Sequence, residues 1–361
     1  MIADDTVFYQ NEIAPYLPPA VLDFHAHTWS SANWRATPWE TDRPGGRYMV
    51  TQKEYPPEQL LADGAACFPD RPYLAVCFGY PTPVTDWPKD TAFVAKAARS
   101  FPTLFPLVLG GRELGLTRTD YEAVFQQTPF FGFKVFLNWL GDDYGDKRVE
   151  EMLGPAEMTL AGERGLIVLL HVPRAGRLAD PIIGEGVRRL ALDYPRARIV
   201  LAHCGRCYLP GEMKAALNHV RGAPNLWFDA SMVMDPIVFQ MIFDAFGPDR
   251  LLYATDFPVA AMKGRRVRVM DHWVDITLPG YPASAWRVQS EGIRAVFMAW
   301  EIILALRWAA EVSRLSETQH RSLYLENGLR LLQAVDDGRP FRARLTMMPP
   351  SLQNLISFPG C

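Results

Sequence analysis

Eight short apolar runs alternate with longer stretches in which apolar residues recur at helical spacing. The runs are Val21–His25, Tyr73–Phe78, Leu104–Leu109, Gly132–Leu137, Leu166–His171, Ile199–His203, Leu226–Asp229 and Leu251–Thr255. A run that is apolar throughout marks a strand buried on both faces. Each run is followed by a helix-length amphipathic segment. Among these are Val149–Arg164, Ser290–Val312 and, at the end, about Glu317–Val335, which Ser316 and Gln319 open with a capping-box pattern. Strand and helix in strict alternation predict a parallel sheet, and eight units predict an α/β fold of the (β/α)8 TIM-barrel type. The rival is an open doubly wound sheet. Against it, no glycine-rich phosphate or dinucleotide fingerprint follows any strand.

No Gly/Ser- or Pro-rich linker divides the chain. Residues 1–361 therefore read as a single barrel domain, with the core at about 20–335 and a C-terminal tail at 336–361. Two connections are much longer than the rest, Thr28 to Pro56 after strand one and Phe257 to Gln289 after strand eight. Structureless loops of that length are commonly lids or binding loops. Both leave the C-terminal face, where barrel active sites sit.

The polar interruptions of the apolar runs cluster at the strand C-termini: His25 and His27, Lys134, His171, His203 and Asp256. Such groups are costly in an apolar strand unless paired or ligated. His25 and His27 are two apart, so a strand points them to one face. Imidazole is the commonest protein ligand for zinc and similar metals. Lys134 to His171 is 37 residues and His171 to His203 is 32, each about one strand–helix unit. The set therefore falls on strands one, four, five, six and eight, and all six side chains would face one mouth.

H-x-H on strand one, Lys on four, His on five and six and Asp on eight resembles the amidohydrolase superfamily of metal-dependent hydrolases. The phrases Leu22-Asp23-Phe24-His25-Ala26-His27, Leu201-Ala202-His203-Cys204-Gly205-Arg206, Tyr253-Ala254-Thr255-Asp256-Phe257-Pro258 and Leu325-Glu326-Asn327-Gly328 are similar to its amidohydrolase 2 branch. That branch includes aminocarboxymuconate semialdehyde decarboxylase. The resemblance covers about residues 20–335. It implies that His25, His27, His171 and Asp256 hold a divalent metal, zinc first, with manganese or iron as alternatives. His203 would be a second-metal ligand or a proton-transfer group. Asp256 would be the general base and then the acid for the leaving group. Lys134 has three readings: a carbamate bridging a second metal, an ammonium that binds an anion, or a lysine at the barrel rim. One ion or two depends on which holds.

The implied activity is hydrolysis of a C–N or C–O bond in an amide, cyclic amide, lactone or ester, by water activated on the cation. The alternative is non-oxidative decarboxylation of an aromatic or unsaturated carboxylate. A barrel that uses metal only for stability is a third reading. The long loops carry candidate substrate walls: Trp29, Trp34, Trp39, Arg35, Arg43 and Arg47 after strand one, and Arg266, Trp273, Tyr281, Trp286 and Arg287 among others after strand eight. Arg174 and Arg206 each follow a site histidine by three residues. Aromatic rings with interspersed arginines suit a planar or carboxylate-bearing small molecule.

Composition narrows the partners. A net charge of −3 with no block of like charge argues against nucleic acid. The most apolar stretch, Ala295 to Ala310, is broken by Glu301 and Arg307, so no membrane span is expected. The five cysteines, Cys67, Cys77, Cys204, Cys207 and Cys361, form no disulfide framework and suit a reducing cytoplasm. No secretory signal is evident at the N-terminus. The apolar stripe Ile293, Val296, Phe297, Trp300, Ile303, Leu304 and Trp308 would pack on the barrel or on a second copy in a homodimer.

Overall fold

The computed structural model describes residues 2–36, 53–137, 144–281 and 287–356. Eight parallel staves form the barrel. They are β1 (Val21–His27), β2 (Tyr73–Phe78), a third stave made of β3 (Leu104–Pro106) and β4 (Val108–Gly110), then β5 (Gly132–Val135), β6 (Ile167–Leu170), β7 (Arg198–Leu201), β8 (Leu226–Asp229) and β9 (Leu251–Leu252). Each pairs with its neighbour in sequence order. The third stave is split at Leu107, whose N–H turns to the Cys77 carbonyl at 2.8 Å, while Pro106 accepts from Phe131 N–H at 2.9 Å. Closure runs from the last stave to the first. Phe24 N–H donates to Tyr253 O at 2.9 Å, Asp256 N–H to His25 O at 2.8 Å, and His27 N–H to Phe257 O at 3.0 Å. The chain is thus a TIM barrel, as the apolar pattern predicts, and its staves are buried almost without exception.

A buried carboxylate fastens that seam. Asp23 accepts the backbone N–H groups of His25 (3.0 Å) and Thr255 (2.9 Å) and the Tyr73 hydroxyl (2.7 Å), as well as the Thr255 hydroxyl. The pairing of β1 with β2 slips by one residue between Asp23 and Ala26. A bulge of this kind re-aims the side chains beside it, and here those are the two histidines.

Three helices differ from the sequence pattern, each for a local reason. The segment 149–164 is two helices, Val149–Met152 and Pro155–Arg164, because Pro155 can stand only in a first turn. The helix expected from Ser290 begins at Met298. Before it the chain runs extended against a hairpin, with Gly264 N–H on Val296 O at 3.0 Å. The last helix is broken into Glu317–Ser322, with its capping box, and Glu326–Gln333. The break frees the carbonyls of Leu323 and Tyr324 to accept from Tyr253 (3.0 Å) and Leu22 (2.9 Å), below the seam of the barrel. The tail adds short helices at Arg339–Leu345 and Pro350–Ile356.

The connection after the eighth stave is not structureless. It folds as an antiparallel hairpin, β10 (Gly264–Val269) and β11 (His272–Thr277), with β12 (Arg287–Gln289) alongside. Val267 and Val269 alternate with arginines, a period-2 pattern hidden inside a polar stretch. Most of the connection after strand one, with Trp39, Arg43 and Arg47, lies outside the described residues, as does Trp286. On the stripe of the 298–312 helix, Trp300 is buried between Phe8 and Phe297, whereas Trp308 is exposed. No helix of the described residues is long and apolar enough to cross a membrane.

Candidate metal centre

The C-terminal ends of the staves bring His25, His27, Lys134, His171, His203 and Asp256 into one buried cluster. The imidazole of His25 lies 5.0 Å from that of His203 and 5.5 Å from that of His27, centre to centre. His203 in turn lies 5.0 Å from His171. Asp256 Oδ1 is 3.4 Å from His25 Nε2 and 3.2 Å from His27 Nε2. Lys134 Nζ is 3.0 Å from the same His25 nitrogen and rests over the Phe78 ring. Two of these residues hold left-handed backbone, His203 at φ 54° and Asp256 at φ 68°. Strain of that kind persists where surrounding packing over-determines it.

The outer edges of the His25 and His203 rings settle their tautomers. His25 Nδ1 is 2.8 Å from the Asp229 carboxylate, which can only accept, so this nitrogen carries the proton. His27 Nδ1 faces the Gly79 carbonyl at 3.3 Å, and His203 Nδ1 faces the Ser231 carbonyl at 3.1 Å. Burial drives all three imidazoles toward the neutral form. His25 and His203 then turn an unprotonated Nε2 inward, while His27 has an acceptor at each edge, the Gly79 carbonyl at Nδ1 and Asp256 Oδ1 at 3.2 Å from Nε2. The His25 lone pair stands 3.4 Å from the Asp256 carboxylate oxygen with no proton between them. Burial by itself would raise Asp256, but the His27 contact and the surrounding imidazoles hold it at about 2, so it is ionised. His171 is likewise lowered, by burial and then by Arg206, and its Nδ1 is buried without a hydrogen-bond partner. Converging lone pairs, an ionised carboxylate and an orphaned ring nitrogen are what a divalent cation satisfies. The donor set fits one.

Ligand atoms of His25, His27 and Asp256 lie within 4.8 Å of one another, as do those of His25, His203 and Asp229. The first trio uses the open edge of His25. The second uses its protonated edge, and so is a hydrogen-bonded brace. Asp229 Oδ1 accepts from His203 N–H at 2.8 Å and Ser231 N–H at 3.1 Å while Oδ2 holds His25. Asp229 and Ser231 escaped the sequence reading. The one available signal was a carboxylate at the end of the apolar run Leu226–Asp229. Lys134 is pushed down to about 8 by burial, against the opposing pull of Asp229 and Asp256.

The amidohydrolase family model matches residues 22–268. The chain belongs to that family. No curated protein matches this amidohydrolase-family chain. Among solved structures it is similar to an amidohydrolase from Burkholderia multivorans with bound zinc, with a TM-score of 0.56 at 17% identity over 87% of this chain and 99% of that one. A probable 2-pyrone-4,6-dicarboxylic acid hydrolase from Acinetobacter baumannii with citric acid bound gives 0.56 at 13%, over 86% and 98%. A 2,6-dihydroxybenzoate decarboxylase complexed with 2,6-dihydroxybenzoate gives 0.52 at 10%, over 87% and 99%. At these identities the likeness is one of fold.

The remaining sequence candidates in the amidohydrolase-family chain sit as follows. Arg174 pairs with Asp180 at 3.3 Å and donates to Asp146 O at 3.1 Å. Arg206 donates to the carbonyls of Val172 (3.0 Å) and Arg174 (3.1 Å). Trp29 is fully buried between Tyr55 and Tyr80. Above His203 stands Tyr208, whose ring lies 5.3 Å from that of Trp273 on β11. Arg266 of β10 is stacked on both rings and joined twice to the buried Asp275, at 2.8 and 3.1 Å. Cys204 and Cys207 are buried thiols raised by that burial, with Cys204 Sγ on the Asp229 carbonyl at 3.3 Å.

Proposed function

We propose that this chain is a metal-dependent hydrolase that cleaves a C–N or C–O bond of a small molecule, an amide, cyclic amide, lactone or ester. The observation that carries the reading is the ionised Asp256 converging with the inner edges of His27 and His25, 3.2 and 3.4 Å from their Nε2 atoms. His25, His27, His171 and Asp256 would hold a divalent cation, with zinc first and manganese or iron as alternatives. Such a cation supplies Lewis acidity and brings the pKa of a water toward neutrality.

The chain's own residues do the rest. Asp256 Oδ1 is committed to the two histidines, so Oδ2 is the oxygen that accepts a proton from water and returns it to the leaving group. His203, its Nδ1 proton held by the Ser231 carbonyl, offers the Nε2 lone pair to a second ion or to a proton taken from water. Lys134, with an amine near 8, has a neutral fraction at pH 7 that can add carbon dioxide, releasing a proton, to give a carbamate that would help hold a second ion. Arg174, Arg206 and Trp29 form the supporting wall. The substrate is a free small molecule, with neither nucleic acid nor membrane required, and a cytoplasmic setting suits the buried thiols. Decarboxylation is the second reading. It is favoured by a decarboxylase among the proteins of similar fold.

The test is a screen of metal-loaded protein against lactones, cyclic amides, esters and aromatic carboxylates in ¹⁸O-water. Hydrolysis places ¹⁸O in the product, and Asp256→Asn lowers kcat by about 10²- to 10⁴-fold. Carbon dioxide release with no ¹⁸O in the organic product would replace the first reading by the second.

A further inference from the structure

Tyr208 follows His203 by five residues, and its ring lies 6.2 Å from that imidazole, inclined at 33°. Its backbone is fixed by Glu212, whose Oε2 accepts the N–H groups of Tyr208 (2.9 Å) and Leu209 (3.2 Å). The other oxygen of Glu212 holds Arg177 at 2.7 Å, and that guanidinium lies over the Tyr208 ring at 5.2 Å. Arg266 lies over the same ring at 4.6 Å. Arg266 is fixed in turn by its cross-strand partner Asp275 and by the Met232 carbonyl at 3.2 Å. Trp273 packs on the ring as well, at 5.3 Å.

The hydroxyl of this firmly held ring is left open. Tyr208 is partly exposed, and its oxygen makes no hydrogen bond among the described residues, nor is it one of the buried polar atoms left without a partner. Burial raises the phenol above its ordinary range, against the charges of Arg266, Arg206 and Arg177, and Asp256 of the metal centre raises it further. At neutral pH the group is therefore a protonated donor, set among cations and within the field of the site carboxylate. The guanidinium groups that make this field are engaged by Asp275, by Glu212 and by the carbonyls of Val172 and Arg174. The phenol is the donor still open to a ligand.

Resting on the reading of the histidine cluster as a metal centre, we propose that Tyr208 is a specificity-determining residue of that site: its hydroxyl donates to a carboxylate that the substrate carries apart from the bond cleaved. Arg266 is the positioning residue that holds the ring in place. A neutral donor in a positive field suits an anionic acceptor, and a hydrogen bond to a charged oxygen is among the stronger ones a protein makes. The substrate class is thereby narrowed to small molecules with a free carboxylate beside the amide, lactone or ester group.

Two ligands that grip a metal through the same hydroxamate group test it. Succinate monohydroxamate ends in a carboxylate where butanohydroxamate ends in a methyl. In isothermal titration of the zinc-loaded full chain, the first is expected to bind about tenfold tighter, the worth of one hydrogen bond to a charged group. Tyr208→Phe keeps the ring and loses only the hydroxyl. It is expected to bring the two ligands within about twofold of each other, with butanohydroxamate binding as in wild type. Arg266→Met with Asp275→Leu leaves the hydroxyl but removes its brace, and is expected to lose most of the preference; near-UV dichroism checks that both variants are folded. The proposal is overturned if wild type binds the two ligands alike or if Tyr208→Phe keeps the preference, and a preference kept by the Arg266 and Asp275 double variant overturns the positioning role. If neither hydroxamate binds, the metal reading fails and this one falls with it. If the preference is found but no amide, lactone or ester is turned over, the hydrolase reading fails and the role of Tyr208 stands.

Discussion

Nδ1 of His25 and Oδ2 of Asp229 lie 2.8 Å apart, both side chains fully buried. The carboxylate accepts the hydrogen bond of the His25 Nδ1–H, fixes the tautomer and turns Nε2 toward Asp256 and Lys134. The same carboxylate holds the backbone of His203, so one group aligns the histidines of two staves. Carboxylate–histidine pairs of this type raise ligand basicity. Asp229→Asn keeps the shape but supplies an N–H where a second acceptor is needed. Metal affinity, measured by competition with a chromophoric chelator, is expected to fall about 10- to 100-fold. An unchanged affinity would mean that the brace does not orient the ligand.

Lys134 reports on the number of ions. If its amine carries a carbamate, protein purified with bicarbonate holds two metals per chain. Lys134→Met then holds one, by elemental analysis, and a ¹³C-bicarbonate-labelled wild type shows a carbamate resonance that the variant lacks. Equal metal content in the two proteins would rule out the bridge.

The buried imidazoles make the metal-free protein sensitive to acid. His25, His27, His171 and His203 are all held below the ordinary imidazole range, chiefly by burial. Below about pH 6.5 the unfolded chain binds protons on these groups and the folded chain does not. Stability is therefore full above that pH and is lost as the pH falls through it, by up to about 1.4 kcal/mol per unit for each histidine that stays neutral. Asp256, held at about 2, adds a loss of the same sign below about pH 4. Urea unfolding of chelator-treated protein at pH 7.5 and 5.5 measures this. A midpoint that does not move would contradict it.

The hairpin after the eighth stave is pinned by Arg266 and Asp275. Asp275 is fully buried, and its partner also reaches the Met232 carbonyl at 3.2 Å. Removing the carboxylate strands a buried guanidinium. Asp275→Ala is expected to cost about 3–5 kcal/mol in urea unfolding. The paired replacement Arg266→Met with Asp275→Leu is expected to restore most of it. A loss below about 1 kcal/mol would place this pair in the class of exposed salt bridges.

What the sequence determined alone follows from short-range periodicity. Eight apolar runs separated by helical segments specify buried parallel staves, because both faces of such a strand must be covered. His25 and His27 share a face because the strand period is two. The positions of Lys134, His171, His203 and Asp256 at the strand ends follow from counting one unit after another. Contacts between residues far apart in the chain needed the tertiary structure. Asp229 is 204 residues from His25 and reads as an ordinary strand end until closure of the barrel sets them side by side. Arg174 and Arg206 follow site histidines by three residues, yet their guanidinium groups are taken up by Asp180 and by loop carbonyls. The hairpin was hidden because its arginines look solvated until Asp275, Tyr208 and Trp273 surround one of them. The last helix breaks at Leu323 because two barrel N–H groups need its carbonyls. Local pattern specifies the elements; which buried polar group meets which is decided when the barrel closes and every such group must find a partner.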